Sequence, residues 1–189
     1  MKHYNAPIQY YPNYLDENKV SGLHFINYFL SLDWEERTNA RREKYFATQY
    51  IPYTYGTGEY ARTYMPEPMD ENVKYIGHKI CEQLLNLPDF ELCFLNYYEN
   101  EKQALGWHSD AGEIMDHTRP IVVVSFGAER EIWTKPIGAG PEKIEKILLG
   151  NGSVFVMEAG MQYTHVHKIP KHSAPCGPRV SLTYRGLKP

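Results

Sequence analysis

The residues most able to do chemistry lie in the second half of the chain. His108-Ser109-Asp110 follows Gly106-Trp107 at the end of a strand-like stretch. Side chains two apart on an extended segment point the same way, so His108 and Asp110 converge while Ser109 faces away. An imidazole and a carboxylate form a mixed nitrogen and oxygen donor set that suits Fe(II). H-x-D recurs by chance, so a second histidine has to come from elsewhere. The stretch from Tyr163 to His172 offers His165, His167 and His172. His165 and His167 share a strand face, and local geometry does not choose between them. Two histidines and an aspartate would cover one face of an octahedral ion and leave the other open. The same donors also bind Zn(II), and polar residues at a barrel mouth are the plain alternative.

The last strand adds charge. In Arg179-Val-Ser-Leu-Thr-Tyr-Arg185, alternation puts Arg179, Ser181, Thr183 and Arg185 on one face and Val180, Leu182 and Tyr184 on the other. The apolar face packs on something. If the polar face lines an interior, two fixed guanidiniums there demand anionic partners, because unpaired buried charge is prohibitive. A dicarboxylate beside the metal would meet that demand through paired hydrogen bonds. Asn96 and Tyr98, again two apart, are neutral donors from a third strand.

The elements that must position these groups read as helices followed by strands. Asp16 is a candidate cap for a segment running to about Leu32 that carries Val20, Leu23, Phe25, Ile26, Phe29 and Leu30. Pro68 and Asp70 start a second helix, with Val73, Ile76, Ile80, Leu84 and Leu87 at helical spacing and Pro88 at its end. Between them, Arg41 to Pro68 reads as a long ordered loop region with short strands, rich in tyrosine. Loops of that length are usually functional. From Glu91 onward, strands are expected at Glu91–Tyr98, Pro120–Phe126, Arg130–Lys135, Ile144–Leu149, Ser153–Glu158, Tyr163–Lys168 and Arg179–Arg185, separated by Gly, Pro and Asn turns. Many short strands without crossover helices mean a sandwich, jelly roll or closed barrel. The expected fold class is α+β, mainly β, in one domain over residues 1–189. About 1–90 would be helical support and lid, and 91–189 the β core.

Composition removes several function classes. The chain has 189 residues, 42% hydrophobic and 23% charged, which fits one core of ordinary size. No stretch approaches the roughly 20 apolar residues of a membrane span. The opening residues are polar and tyrosine-rich, unlike a signal peptide. Three widely spaced cysteines, Cys81, Cys93 and Cys176, argue against a disulfide framework and suit a reducing compartment, cytoplasmic or nuclear. A net charge of −3 means that bulk charge does not draw the chain onto nucleic acid.

Taken together, these residues resemble the AlkB family of Fe(II)- and 2-oxoglutarate-dependent nucleic-acid dealkylases. His108, Asp110, His167, Arg179 and Arg185 match the family's H-x-D, distant His and R-x5-R in order and spacing. His167 lies 12 residues before Arg179, as in the family's duplex-repair branch, which favours it over His165. Asn96-x-Tyr98, Val124-Ser-Phe-Gly127 and Pro178–Arg185 are similar to that branch too. Tyr53-Thr-Tyr55-x-x-Gly58 resembles the aromatic lid that contacts an extruded base, and Arg41 sits where the family has Pro-Arg. Ser181 stands where the family commonly has Asn, and the first acid after the H-x-D is Glu113.

The resemblance implies a double-stranded β-helix (jelly roll) core with N-terminal helices packed on one sheet and a substrate-lid loop region. It implies Fe(II), 2-oxoglutarate and O2, with His108, Asp110 and His167 as iron ligands. Arg179 with Tyr98 would hold the far carboxylate of 2-oxoglutarate and Arg185 its near end, with Asn96, Ser181 and Thr183 around them. Arg41, Tyr53, Tyr55 and Glu113 would contact substrate. Tyr55 and His108 would clamp the base, and Glu113 or Asp116 would favour a cationic methylated one. Arg37, Arg41, Arg42 and Lys44 would bind the phosphate backbone. The implied reaction is oxidative dealkylation of 1-methyladenine or 3-methylcytosine in DNA or RNA, with release of formaldehyde. A dioxygenase acting on protein or small molecules, and a non-catalytic jelly-roll binding module, are the alternatives. Monomer is the default state.

Overall fold

The computed structural model describes residues 3–17, 22–55, 59 and 61–189. Val20, Gly56, Gly58 and Tyr60, together with the side chain of Leu23, lie outside the described residues. The helices are α1 (Tyr14–Glu17), α2 (Gly22–Leu30) and α3 (Glu71–Ile80). The first strands are β1 (Ile8–Tyr11), β2 (Glu35–Thr38), β3 (Arg41–Ala47), β4 (Tyr53–Tyr55), β5 (Arg62–Tyr64) and β6 (Glu67–Pro68). The core strands are β7 (Leu92–Tyr98), β8 (Leu105–His108), β9 (Ile121–Gly127), β10 (Arg130–Pro136), β11 (Glu145–Leu149), β12 (Val154–Met157), β13 (His165–Ile169) and β14 (Arg179–Arg185).

Two sheets carry the core. The larger runs β1-β12-β9-β14-β7-β3-β2, with β6 paired to β3; the smaller runs β11-β10-β13-β8. A hairpin of β4 and β5 stands apart. Strict alternation divides the larger sheet. Val122, Val124, Phe126, Val180, Leu182 and Tyr184 face Phe29 of α2 and Val73, Ile76 and Ile80 of α3 in one buried cluster. Ile121, Val123, Phe155 and Met157 face the smaller sheet and meet Ile132, Ile147, Leu149 and Ile169 in a second. The sites of interest sit on this inner face, at the end of the sandwich where β8 and β14 both supply polar residues.

Local chemistry explains the supports. The Asp70 carboxylate accepts from the Asn72 and Val73 amides at 2.9 and 3.0 Å, capping α3 as its sequence implies. A Cβ on Gly77 would stand 2.8 Å from the Tyr184 ring, so glycine lets α3 lie directly on β14. The Tyr184 hydroxyl then donates to the Val73 carbonyl at 2.8 Å, tying helix to strand. At the other end of β14, Gly127 has φ +86°, a conformation that glycine adopts without strain, and a Cβ there would collide with the Pro178 carbonyl oxygen.

The seven expected core strands are present within a few residues. The second-last starts late, because Met161–Tyr163 forms a 3-10 turn before β13. The first half departs more. Asp16 lies inside α1 rather than capping it, and of the segment to Leu32 the described helical parts are α1 and α2, the latter ending at Leu30. The second helix gives way at Cys81–Leu85 to a π-helical turn, closed by Asn86 at φ 51°. Arg41 to Pro68 is not mainly loop. Its first seven residues form β3, buried between β2 and β7. Arg-Arg-Glu-Lys reads as surface, yet Arg41 pairs with Glu43 and Lys44 with Glu67, so charge enters the sheet already neutralised.

Candidate active site

His108 ends β8 and Asp110 follows it. The registry of β13 on β8 sets His167 directly opposite His108. His108, Asp110 and His167 are the described cluster of potential metal donors, with one ligand atom from each lying within 4.8 Å of the others. His108 Nε2 and His167 Nε2 each stand 3.9 Å from an Asp110 oxygen. His108 Nδ1 lies 2.8 Å from the Gly106 carbonyl, which can only accept. That fixes the proton on Nδ1 and turns the Nε2 lone pair toward the cluster. His165 is elsewhere. It pairs with Pro136 at the far end of β13 and contacts Thr164.

The electrostatics suit a cation. Burial alone would push the Asp110 carboxyl up, but the Arg185 guanidinium and then His108 and His167 outweigh it and hold the carboxyl well below the usual range. Arg185 Nη2 donates to Asp110 Oδ2 at 2.8 Å, while Oδ1 is buried without a partner. Burial, then His108, pulls His167 down to about 3, and burial lowers His108 as well. At neutral pH the cluster therefore offers two neutral imidazoles and one carboxylate, the protonation states that a divalent ion needs. Sequence reasoning missed Gln162, whose side-chain oxygen accepts from the Asp110 amide at 2.9 Å and fixes that ligand's backbone. A glutamine in a turn gave no signal of this.

The other half of the site is an anion's complement. Arg179 is 0% exposed and has no carboxylate within reach among the described residues. Its Nη2 donates to Ser125 Oγ at 2.9 Å, and Nε and Nη1 have no partner. Burial draws its guanidinium down to about 10, which still leaves it charged at neutral pH. Arg130, equally buried, is different. It disperses its charge over the Asn100, Gln103 and Pro170 carbonyls at 3.3, 2.8 and 2.5 Å. The Tyr98 ring lies between them, 5.4 Å from Arg179 and 5.5 Å from Arg130. Ser181 and Thr183 are buried between Arg179 and Arg185 on β14, as alternation requires. Arg185 keeps Nε and Nη1 without partners beside the metal donors. An oxygen-rich dianion is the chemical complement of these unpartnered donors. Ser125 was legible as the one polar residue on the inward phase of an apolar strand.

The substrate side is an open cleft of about 770 Å³ lined by Tyr53, Tyr55, Trp107, His108, Asp110 and Glu113 among others. Tyr53 is mostly core, packed on Tyr45 and Phe94. Tyr55 meets His108 edge to face at 5.6 Å. A base between two flat partners needs about 7 Å, two van der Waals contacts, so the expected clamp is closed in this arrangement. Glu113 is at the rim, whereas Asp116 accepts from Thr118 within a turn and does not line the cleft. Arg41 is a correction as well. It is buried, donates from Nε to Asn96 Oδ1 at 2.6 Å and pairs with Glu43, so it shapes the interior rather than touching substrate directly. Asn96 keeps its amide nitrogen as a donor. The rest of the expected phosphate cluster is neutralised: Arg37 by Glu35, Arg42 by Glu36 and Glu99, and Lys44 by Glu67.

The family model of the 2OG-Fe(II) oxygenase superfamily matches residues 7–185. The chain belongs to that superfamily. Among its relatives, the human alpha-ketoglutarate-dependent dioxygenase alkB homolog 3 is 29% identical over 195 residues, covering 95% of this chain and 65% of its own length. The Arabidopsis thaliana DNA oxidative demethylase ALKBH2 is 29% identical over 117 residues, 51% of this chain and 37% of its own. The chain thus spans less than two thirds of the curated relatives it matches. The solved structure of OsALKBH1 shares the fold, with a TM-score of 0.65 at 18% identity over 97% of this chain and all of that one. The AlkB resemblance seen in the motifs is borne out by these relatives, and the mainly β jelly-roll expectation by the two-sheet fold that this chain shares with that structure.

Proposed function

We propose that this chain is an Fe(II)- and 2-oxoglutarate-dependent dioxygenase that removes alkyl groups from ring nitrogens of nucleobases in DNA or RNA. One observation carries the oxygenase reading: three metal donors, and a buried guanidinium without a carboxylate partner among the described residues, come from the two facing sheets. The relatives' names, which include DNA oxidative demethylase, support the nucleobase.

In this reading His108, Asp110 and His167 hold iron, and Arg179 with Tyr98 holds the far carboxylate of 2-oxoglutarate. Arg185 keeps Asp110 ionised and oriented, and its unpartnered Nε and Nη1 would receive the near end of the co-substrate. Iron, 2-oxoglutarate and O2 supply the oxidant that hydroxylates a C–H bond, with succinate and CO2 as co-products. The chain's own work is position and dryness. Gln162 holds the Asp110 backbone, Gly106 sets the His108 tautomer, and Tyr55 covers the cluster from water. An extruded base enters when the β4–β5 hairpin lifts Tyr55 from His108, and a base that cannot pair costs less to extrude. A cationic methylated base is favoured by Glu113 at the rim. Once the N-methyl group carries a hydroxyl, the hemiaminal collapses to formaldehyde and the unmodified base.

The test is formaldehyde and succinate release from oligonucleotides carrying 1-methyladenine or 3-methylcytosine, single-stranded and duplex in parallel. Matched release of both products is expected. Succinate without formaldehyde from any oligonucleotide would point to a protein or small-molecule substrate. Neither product from iron-loaded protein would leave a binding module.

A further inference from the structure

The phosphate cluster that the sequence suggested is neutralised by its own carboxylates. A different basic surface is not. On the outer face of the smaller sheet, Lys168 stands directly across from Trp133 and Lys146 lies across from it on the other side. Their ammonium groups sit 4.3 and 4.2 Å from the Trp133 ring centre. Lys168 also lies 4.8 Å from the Trp107 ring, and Lys135 5.2 Å from it. The result is one row across β8, β13, β10 and β11, about 14 Å long at the usual strand spacing. Among the described residues no carboxylate pairs with Lys135, Lys146 or Lys168. Glu131, on the same face, accepts from the Trp133 indole N–H at 2.7 Å.

The row starts at the cleft. Trp107, 37% exposed, lines the same opening as His108 and Asp110. We propose that this Lys–Trp row is a rail for the phosphates of a single nucleic-acid strand on one side of the base in the cleft. The inference rests on the nucleobase reading above and adds where the flanking strand runs. The indole faces hold the lysine ammonium groups in place by cation–π contact, and Lys135 also donates to the Ala139 carbonyl at 2.5 Å, so less side-chain freedom is lost when a phosphate arrives. Charge complementarity selects the occupant: a chain of net charge −3 repels a polyanion in bulk and needs a local row of cations to receive one. The width of one row suits one strand.

The experiment compares wild type with Lys135→Gln/Lys146→Gln/Lys168→Gln, changes on the outer face of the smaller sheet, opposite the face that carries the iron and 2-oxoglutarate groups. Binding of a fluorescent 15-nucleotide unmodified single strand is followed by anisotropy from low to moderate salt. Three phosphate contacts contribute about −2 to the slope of log K against log salt for single strands. The variant is expected to lose about that much slope and to bind about tenfold or more weakly at low salt. With methylated substrates, KM for the 15-mer should rise while kcat, and KM for a trinucleotide, stay unchanged. Equal affinity and slope in the two proteins would overturn the rail. So would an acidic peptide of equal charge that competes as well as the oligonucleotide. If wild type binds the strand in this salt-dependent way but turns over no methylated base, the nucleobase reading fails and the rail stands.

Discussion

Arg179 gives the most informative perturbation, because its two effects have opposite sign. Replacing it by Met removes a buried charge that is held by one hydroxyl at 2.9 Å and one aromatic face at 5.4 Å. Burying a guanidinium costs several kcal/mol, and exchange of buried ionic groups for apolar ones of similar volume is often neutral or stabilising. The lost hydroxyl bond and ring contact return about 3 to 5 kcal/mol at most. Ligand-free Arg179→Met should therefore melt within a few degrees of wild type, or above it. Its response to 2-oxoglutarate should vanish. A ligand at 100 times its Kd stabilises by about 2.7 kcal/mol, which for a domain of this size moves Tm by about 5 to 10 °C. Differential scanning fluorimetry with Mn(II), with and without 2-oxoglutarate, reads both effects. A full ligand shift in the variant, or an apo variant melting 10 °C or more below wild type, would refute the assignment of Arg179 as the co-substrate's anchor.

Other outcomes follow from the same geometry. Gln162→Ala removes the acceptor for the Asp110 amide and should weaken iron binding by about 10- to 100-fold with little change in apo stability, measured by competition with a chelator. Gly77→Ala places a methyl 2.8 Å from Tyr184 and should cost about 1 to 3 kcal/mol in urea unfolding. Metal-free protein should lose stability as pH falls below about 6.5, because the unfolded chain protonates its histidines there while buried His167 resists until about 3. At pH 5 that is worth about 2 kcal/mol for this one residue, and His167→Asn should flatten the pH dependence of Tm.

The chemistry of the site was legible because it is written in period two. His108 and Asp110, Asn96 and Tyr98, and the four polar residues of β14 each obey strand alternation, so their common side could be inferred one strand at a time. Choosing His167 over His165 needed more than alternation, since both occupy one face; the structure separates them by burying His167 opposite His108 and leaving His165 in a separate open pocket at the other end of β13. The β3 strand was illegible for the opposite reason. Its Arg-Arg-Glu-Lys start looks solvated, and only partners far along the chain, Asn96 and Glu67, make its burial possible. The same local reading mistook Arg41, Arg42 and Lys44 for an open basic patch. The Lys–Trp row could not be read at all, because its members come from four strands brought together only by the smaller sheet's order.

The most direct measurement is anaerobic titration of the protein with Fe(II) and 2-oxoglutarate, following the visible charge-transfer band of an iron-bound keto acid. Wild type and His165→Ala should develop the band, while His108→Ala, Asp110→Ala and His167→Ala should not. A band that survives in His167→Ala and is lost in His165→Ala, or no band in wild type, would contradict an iron centre built from these three side chains.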